Sequence, residues 1–207
     1  RVHGNADVLE LAEKAHVPVI NGLSDYNHPC QVLADLLTIK EKRVTLAGST
    51  LTYVGDGNNM SHSLMVGAAI MGMNMRVAHP EGYAPDAELV DWATARAAET
   101  GGSVHLCQDP GEAVDGADAV YTDAWTSMGW EDEAEERAAR FQGFQVDAAL
   151  MARANKRAIF MHCLPAHRGE EVSSGVIDGP QSVIFDQAEN RLHAQKAIMV
   201  KLMGHRH

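Results

Sequence analysis

From residue 50 onward, short apolar segments alternate with longer helical segments, and this alternation is the strongest constraint on the fold. The pattern predicts strands at 50–54, 74–78, 103–107, 118–122, 157–162 and 182–185. Between and after them it predicts helices at 60–71, 85–99, 110–115, 146–153 and 189–203. Short apolar strands separated by helices are typical of a parallel sheet that is covered on both faces. We therefore expect an α/β fold, with a doubly wound parallel sheet and helices on both faces.

The residues before this alternation form a separate region. They predict a helix at 3–13, a short buried strand at 17–21 and a long amphipathic helix at 28–43. Gly48 and Ser49 then interrupt the pattern. We expect a domain boundary near these two residues.

The composition narrows the classes of function. A net charge of −11 over 207 residues repels nucleic acid and anionic membranes, so neither is expected as a partner. No apolar run is long enough for a membrane helix. Three cysteines are a sparse, odd set, which indicates reduced thiols and a cytoplasmic location. An anionic ligand would need local cations, for which Arg1, Arg168 and Arg191 are candidates.

A polar glycine turn, Gly55-Asp56-Gly57-Asn58-Asn59, follows the first strand of the alternating region. Such a turn brings backbone N–H groups to the edge of the sheet where this architecture binds ligands. A dinucleotide site is one alternative, but Met60 stands where that motif needs a third glycine. The simplest alternative is that the asparagines only cap the following helix.

Further polar motifs lie at helix starts and strand ends. His28 and Gln31 sit three residues apart at a predicted helix start, so both can face one ligand. Asp123 and Cys163 each follow a predicted strand, where a carboxylate could accept an ammonium and a thiol could be tuned to a thiolate. Capping or inert roles remain open for each residue taken alone. The spacing of Cys163 and His167 lacks a four-ligand zinc pattern, so we expect no metal. The charged run 131–140 is interpreted as a solvated helix.

These segments together resemble the ornithine carbamoyltransferase family. The likeness runs in order through HPCQ with LADLLT, GDGNN, DAWTSMG, HCLP and DQAENR, and it covers essentially all 207 residues. DAWTSMG is the most specific motif, because the related aspartate carbamoyltransferases use a different amino-acid-binding loop. The resemblance implies transfer of the carbamoyl group of carbamoyl phosphate to the δ-amine of L-ornithine, giving citrulline and phosphate. It implies no cofactor.

The resemblance also assigns roles by matching position. Carbamoyl phosphate would be held by Arg1, His28, Pro29, Cys30, Gln31, Cys163, Leu164 and Arg191. Ornithine would be bound by Asn59, Asp123, Ser127 and Met128. The catalytic residues would be Cys163, Asp123 and His28, with Cys163 orienting the amine and accepting its proton. His28 and the arginines would stabilise the charge that develops on oxygen.

One family feature is absent, namely the Ser-Thr-Arg-Thr motif that grips phosphate. We therefore expect the chain to be a fragment with little activity alone. On this hypothesis residues 1–46 are the remnant of the carbamoyl-phosphate domain, residues 47–188 are the ornithine-binding domain, and residues 189–207 form a helix that returns toward the first domain.

Several alternatives stay open at this point. They are an NAD-dependent oxidoreductase, a non-catalytic amino-acid-binding module, and a transferase that acts on putrescine, lysine or N-acylornithine. The resemblance further implies a homotrimer and a place in arginine metabolism, with synthesis and breakdown both possible.

Overall fold

A computed structural model describes residues 1–43, 45–126 and 133–204. Five described strands form one parallel sheet in the order β3-β2-β1-β4-β5. They are β1 (Thr50–Val54), β2 (Asn74–Ala78), β3 (Ser103–Cys107), β4 (Ala119–Thr122) and β5 (Ile159–His162). The strand order reverses between β1 and β4, which makes their carboxyl ends the topological switch point. The predicted α/β fold with a doubly wound parallel sheet is confirmed.

The helices pack on both faces of this sheet. They are α1 (Asn5–Lys14), α2 (Pro29–Arg43), α3 (Asn59–Ile70), α4 (Ala87–Thr100), α5 (Pro110–Val114), α6 (Ala134–Arg140), α7 (Ala148–Met151), α8 (Ser174–Ile177) and α9 (Ile184–Met203). Successive residues of a strand point to opposite faces, so Tyr53 and Tyr121 join the core beneath α3 and α4, while Val54 and Val120 join the core on the other face. Both cores are continuous, and they hold the strand ends in a fixed arrangement.

Two predicted strands are wrong. Residues 17–21 form no strand, and Val17, Val19 and Ile20 are 65%, 37% and 41% exposed, so this apolar run has no sheet to join among the described residues. The predicted strand 182–185 makes a single bridge, between Ser182 and Phe160, before α9 begins at Ile184. Apolar runs alone do not distinguish a short strand from a buried helix start.

The helix α2 connects the first region to the rest of the molecule. It packs along α9 and contributes Val32, Leu36 and Ile39 to the core that contains α3. The close approach to α3 depends on Gly67, where an added Cβ would lie 2.5 Å from the Val32 side chain. This packing brings the start of α2 beside the carboxyl edge of the sheet. The division into domains remains a prediction.

Candidate active site

The glycine turn after β1 is held by backbone close contact. A Cβ at Gly57 would lie 2.3 Å from the backbone of Ala84 and Pro85, so only glycine fits. Asn58 is the N-cap of α3, and its Oδ1 accepts hydrogen bonds from the N–H groups of Met60 and Ser61 at 2.9 and 3.2 Å. The predicted cap at Asn58 is therefore confirmed, although capping is not its sole contact.

Asn58 also makes a second contact, because the cap uses its Oδ1 and the Nδ2 group can still donate. Its Nδ2 donates to Asp123 Oδ2 at 3.0 Å, which joins the ends of β1 and β4 across the switch point. Asn59, the predicted ornithine ligand, instead donates from Nδ2 to the Ser24 carbonyl at 2.8 Å. The hydrogen bond to the Asp123 carboxylate therefore comes from Asn58, while a role for Asn59 in binding ornithine remains a prediction.

Asp123 and Cys163 are brought together by strand register. Thr122 of β4 pairs with His162 of β5, so the residues that follow them lie side by side. Cys163 Sγ donates to Asp123 Oδ1 at 3.0 Å, and the Ala124 N–H donates to the same oxygen at 2.8 Å. With Asn58 on Oδ2, both carboxylate oxygens are oriented. Such an anchored carboxylate at the ligand edge is suited to accept an ammonium group.

The state of Cys163 differs from the expectation of a thiolate. Burial raises the pKa of this thiol well above its usual value, and the charge and hydrogen bond of Asp123 raise it further. Without a ligand, Cys163 is therefore a protonated donor to Asp123. Acceptance of a proton by Cys163 requires that its own proton first moves to Asp123 or that a cation enters the site.

The segment after β5 is held by a buried pair that the sequence reading missed. His162 Nε2 lies 3.3 Å from Glu171 Oε1, and both side chains are fully buried. His162 Nδ1 accepts the Leu164 N–H at 2.8 Å, and Leu164 has a φ of 61°, which is rare for a residue other than glycine. Burial raises the pKa of Glu171, but the contacts with His162 and the His167 N–H outweigh burial and leave this pKa below its usual value. The pair fixes the backbone on which Cys163 and Leu164 lie.

A second group of predicted residues gathers at the start of α2. Arg191 Nη1 donates to Gln31 Oε1 at 2.6 Å, which ties α9 to α2. The His28 N–H donates to Ser63 Oγ at 2.7 Å. Burial, together with the charges of Arg191 and Arg1, lowers the pKa of His28 to about 4. His28 is thus neutral at pH 7 and can serve as a hydrogen-bond donor beside two cations.

Three other predicted residues have contacts that restrict their roles. Cys30 is buried and its thiol donates to the Asn21 carbonyl at 3.3 Å, so only its backbone can serve a ligand. Pro29 occupies the first position of α2 and has no backbone N–H to offer. Arg168, a candidate cation, is paired with Asp178 through two hydrogen bonds of 2.9 and 2.7 Å.

The loop after β4 is only partly described. Ser127 and Met128 lie outside the described residues. Beyond them, Arg137 of α6 is 7% exposed and donates to Asp56 Oδ2 at 2.6 Å and to the Trp125 carbonyl at 3.0 Å. The interpretation of run 131–140 as a wholly solvated helix is wrong at Arg137, which fastens α6 to the glycine turn.

Comparisons of the sequence with known proteins and protein families identify the relatives of this chain. Residues 47–202 match the family model described as aspartate/ornithine carbamoyltransferase, Asp/Orn binding domain, and residues 1–41 match its carbamoyl-P binding domain. The ornithine carbamoyltransferases of Thermococcus kodakarensis and Symbiobacterium thermophilum are 58% and 61% identical over 204 residues. These matches cover 99% of this chain and 65% and 66% of the relatives.

A solved structure gives the same result. The ornithine carbamoyltransferase from Pyrococcus furiosus superposes with a TM-score of 0.97 at 56% identity, over 100% of this chain and 66% of that one. The chain thus spans about two thirds of the length of the proteins it matches. The NAD-dependent alternative finds no support among these relatives. The chain belongs to the aspartate/ornithine carbamoyltransferase family.

Proposed function

We propose that this protein is an ornithine carbamoyltransferase, which transfers the carbamoyl group of carbamoyl phosphate to the δ-amine of L-ornithine and releases L-citrulline and phosphate. The observation that carries the proposal is the Asn58–Asp123–Cys163 cluster at the switch point, with contacts of 3.0 Å on both sides of the carboxylate. A fixed carboxylate at this edge suits a cationic amino acid, and family membership supports the reaction type.

The cations at the start of α2 supply the other half of the proposal. Carbamoyl phosphate is an anion, and Arg191 and Arg1 would hold its phosphate oxygens. Neutral His28 would donate to the carbonyl oxygen, where negative charge builds during attack. Gln31, which Arg191 contacts at 2.6 Å, would contribute a further polar contact to the same ligand.

The reaction needs an amine that has lost its proton. The δ-ammonium of ornithine has a lysine-like pKa of about 10.4, so its proton must leave before or during attack. We propose that Asp123 accepts this proton through Cys163: the thiol passes its proton to the carboxylate and takes one from the amine. The amine nitrogen then bonds to the carbonyl carbon, and the bond between this carbon and the phosphate oxygen breaks with its electron pair remaining on phosphate. The second proton of the nitrogen passes to the departing phosphate, which leaves the neutral ureido group of citrulline.

The test is ornithine-dependent formation of citrulline from carbon-labelled carbamoyl phosphate, followed by NMR so that slow turnover is detected. We expect label in the ureido carbon of citrulline. We also expect Cys163→Ala to lower the rate by about a hundredfold or more, as is typical when a proton-transfer group is lost. Cys107→Ala is the matched control, because Cys107 is a half-buried thiol outside the cluster. Label found only in breakdown products of carbamoyl phosphate would contradict the proposal.

We propose further that the protein acts in the cytoplasm, as a homotrimer, in arginine biosynthesis. The three free cysteines suit a reducing compartment. One relative, from Pyrococcus furiosus, is named as an anabolic ornithine carbamoyltransferase, which favours synthesis. None of the helices in the described ranges is both long and apolar enough to cross a membrane. Sedimentation equilibrium tests the trimer, and a monomeric mass at micromolar concentration would contradict it.

A further inference from the structure

Asp35 of α2 is a fully buried carboxyl group that links the two halves of the candidate site. Its Oδ1 accepts hydrogen bonds from Gln31 Nε2 at 2.8 Å and from Gln187 Nε2 at 2.7 Å. Its Oδ2 is buried, and the Tyr121 hydroxyl also faces this carboxyl. Burying a carboxyl group is costly, and the two amide donors offset part of that cost, so the carboxyl and the amides hold one another in place.

The contact with Asp35 determines how the Gln31 amide is oriented. Because Nε2 donates to the carboxyl, Oε1 is turned toward Arg191 and accepts from Nη1 at 2.6 Å. In the reverse orientation, Nε2 would face the guanidinium, donor against donor, and Oε1 would face a carboxyl oxygen. Without Asp35, Gln31 loses one of the two partners that favour the observed orientation and leaves its Nε2 buried without an acceptor.

The same carboxyl orients Gln187 of α9 toward the opposite side of the site. Gln187 Nε2 also donates to the Tyr121 hydroxyl at 3.0 Å, and its Oε1 accepts the His162 N–H at 3.0 Å. His162 is the last residue of β5 and immediately precedes Cys163. Reversal of the Gln187 amide would place Nε2 against the His162 N–H.

Within the part of the chain that the structure describes, the charged or titratable groups that face Asp35 come from three elements. Arg191 comes from α9, Tyr121 from β4 and Cys163 from the segment after β5. Burial raises the pKa of Asp35 to about 7, against the opposing effects of the two glutamine amides, Tyr121 and Arg191. Asp35 therefore changes its protonation state near neutral pH.

We propose that Asp35 is a positioning residue, which holds the amides of Gln31 and Gln187 in one orientation and so couples the Gln31–Arg191 pair to the strand end that carries Cys163. The consequence for carbamoyl phosphate binding rests on the proposed function. The orientation of the two amides does not depend on the proposed function, since it follows from contacts within the chain.

The test follows the side-chain amides of Gln31 and Gln187 by NMR, with exposed Gln142 as an internal reference. In the wild-type chain we expect both buried amides to shift with one common midpoint as the labelled Asp35 carboxyl titrates, and we expect Asp35→Asn to abolish that titration. Asp35→Ala should speed their exchange with solvent by about tenfold, since both amides lose a buried acceptor. The matched control is Thr38→Val, because Thr38 is also fully buried on α2 and contacts α9 through Asn190 but not these glutamines.

Calorimetry with carbamoyl phosphate gives the second readout. Asp35→Ala should weaken carbamoyl phosphate binding by about tenfold. Asp35→Asn should bind as the wild type does, because the asparagine carbonyl still accepts both amides. Thr38→Val should leave the affinity unchanged. Amide signals that neither titrate with Asp35 nor respond to its replacement would overturn the proposal. The proposal would also be overturned if the two amides reoriented in Asp35→Ala while the affinity for carbamoyl phosphate stayed unchanged. A wild-type chain that binds no carbamoyl phosphate would count against the proposed function, and the amide measurement would still decide the role of Asp35.

Discussion

Replacement of Asp35 by asparagine should change how the free energy of unfolding depends on pH. The pKa of Asp35 is about 7 in the folded chain, against an ordinary value of 3.8, so the folded state binds more protons than the unfolded state between these values. Stability from this group is fully present below about pH 4 and is lost as the pH rises through about 7. The whole shift corresponds to about 4 kcal/mol, because each pKa unit corresponds to about 1.4 kcal/mol.

His28 has the opposite effect on the same pH range. Its pKa falls from 6.5 to about 4 on folding, so the unfolded state binds more protons, and stability from His28 rises with pH across that interval. Between about pH 5 and about pH 8, His28 adds roughly 2 kcal/mol while Asp35 removes roughly 2.5 kcal/mol. These two contributions nearly cancel in the wild-type chain. In the Asp35→Asn variant, the His28 contribution is the one of these two that remains.

Urea denaturation at a series of pH values measures this difference. The free energy of unfolding of the wild type minus that of Asp35→Asn should fall by about 2.5 kcal/mol from about pH 5 to about pH 8. Contributions from all other groups are common to both chains and cancel. The variant Thr38→Val provides the control, since its difference from the wild type should not depend on pH. A constant difference between the wild type and Asp35→Asn would refute the reasoning.

Three further predictions concern the ligand edge of the sheet. Asp123→Asn should increase the rate at which Cys163 reacts with iodoacetamide at pH 8 by at least about tenfold, because it removes a charge 3.0 Å from the thiol that raises the thiol pKa; an unchanged rate would contradict the contact. Gly57→Ala should destabilise the chain by about 2 kcal/mol or more in urea denaturation, since the new Cβ would lie 2.3 Å from backbone atoms, and wild-type stability would show that the turn is looser than described. Arg137→Met leaves the Asp56 carboxylate partly buried without its arginine partner, so it should lower the free energy of unfolding by about 3 kcal/mol in the same measurement. The double variant with Asp56→Asn should recover part of this loss, and no recovery would count against the pair.

Most of the sheet could be predicted from the sequence, and the reason is local. Each of the five strands is rich in apolar residues, although β1, β2 and β3 also carry polar ones such as Thr52, Arg76 and His105. Each strand is followed by a turn or helix signal, so strand and helix patterns do not compete. Residues 182–185 also form an apolar run, but Val183 and Ile184 are buried at the start of α9, where a helix packs on both cores. That distinction depends on tertiary packing.

The candidate site was predictable where a motif lies at a strand end. Asp123 and Cys163 are adjacent because β4 and β5 are neighbours, which the expected fold already indicates. The contribution of Asn58 was harder to foresee, because capping α3 is sufficient to explain an asparagine there. A signal for Asp35 was present in the four-residue spacing from Gln31 on α2. Its partner Gln187 is 152 residues away, and only the packing of α2 on α9 reveals that contact.

Calorimetric titration of L-ornithine into the chain is the most direct test of the claim that the edge formed by β1, β4 and β5 binds a diamino acid. We predict saturable binding by the wild type and at least about tenfold weaker binding by Asp123→Asn, because the carboxylate that would pair with an ammonium is lost. Asp178→Asn, which removes an exposed carboxylate from the Arg168 pair, should bind as the wild type does. Equal affinity in the wild type and Asp123→Asn, or no binding by the wild type, would contradict the account.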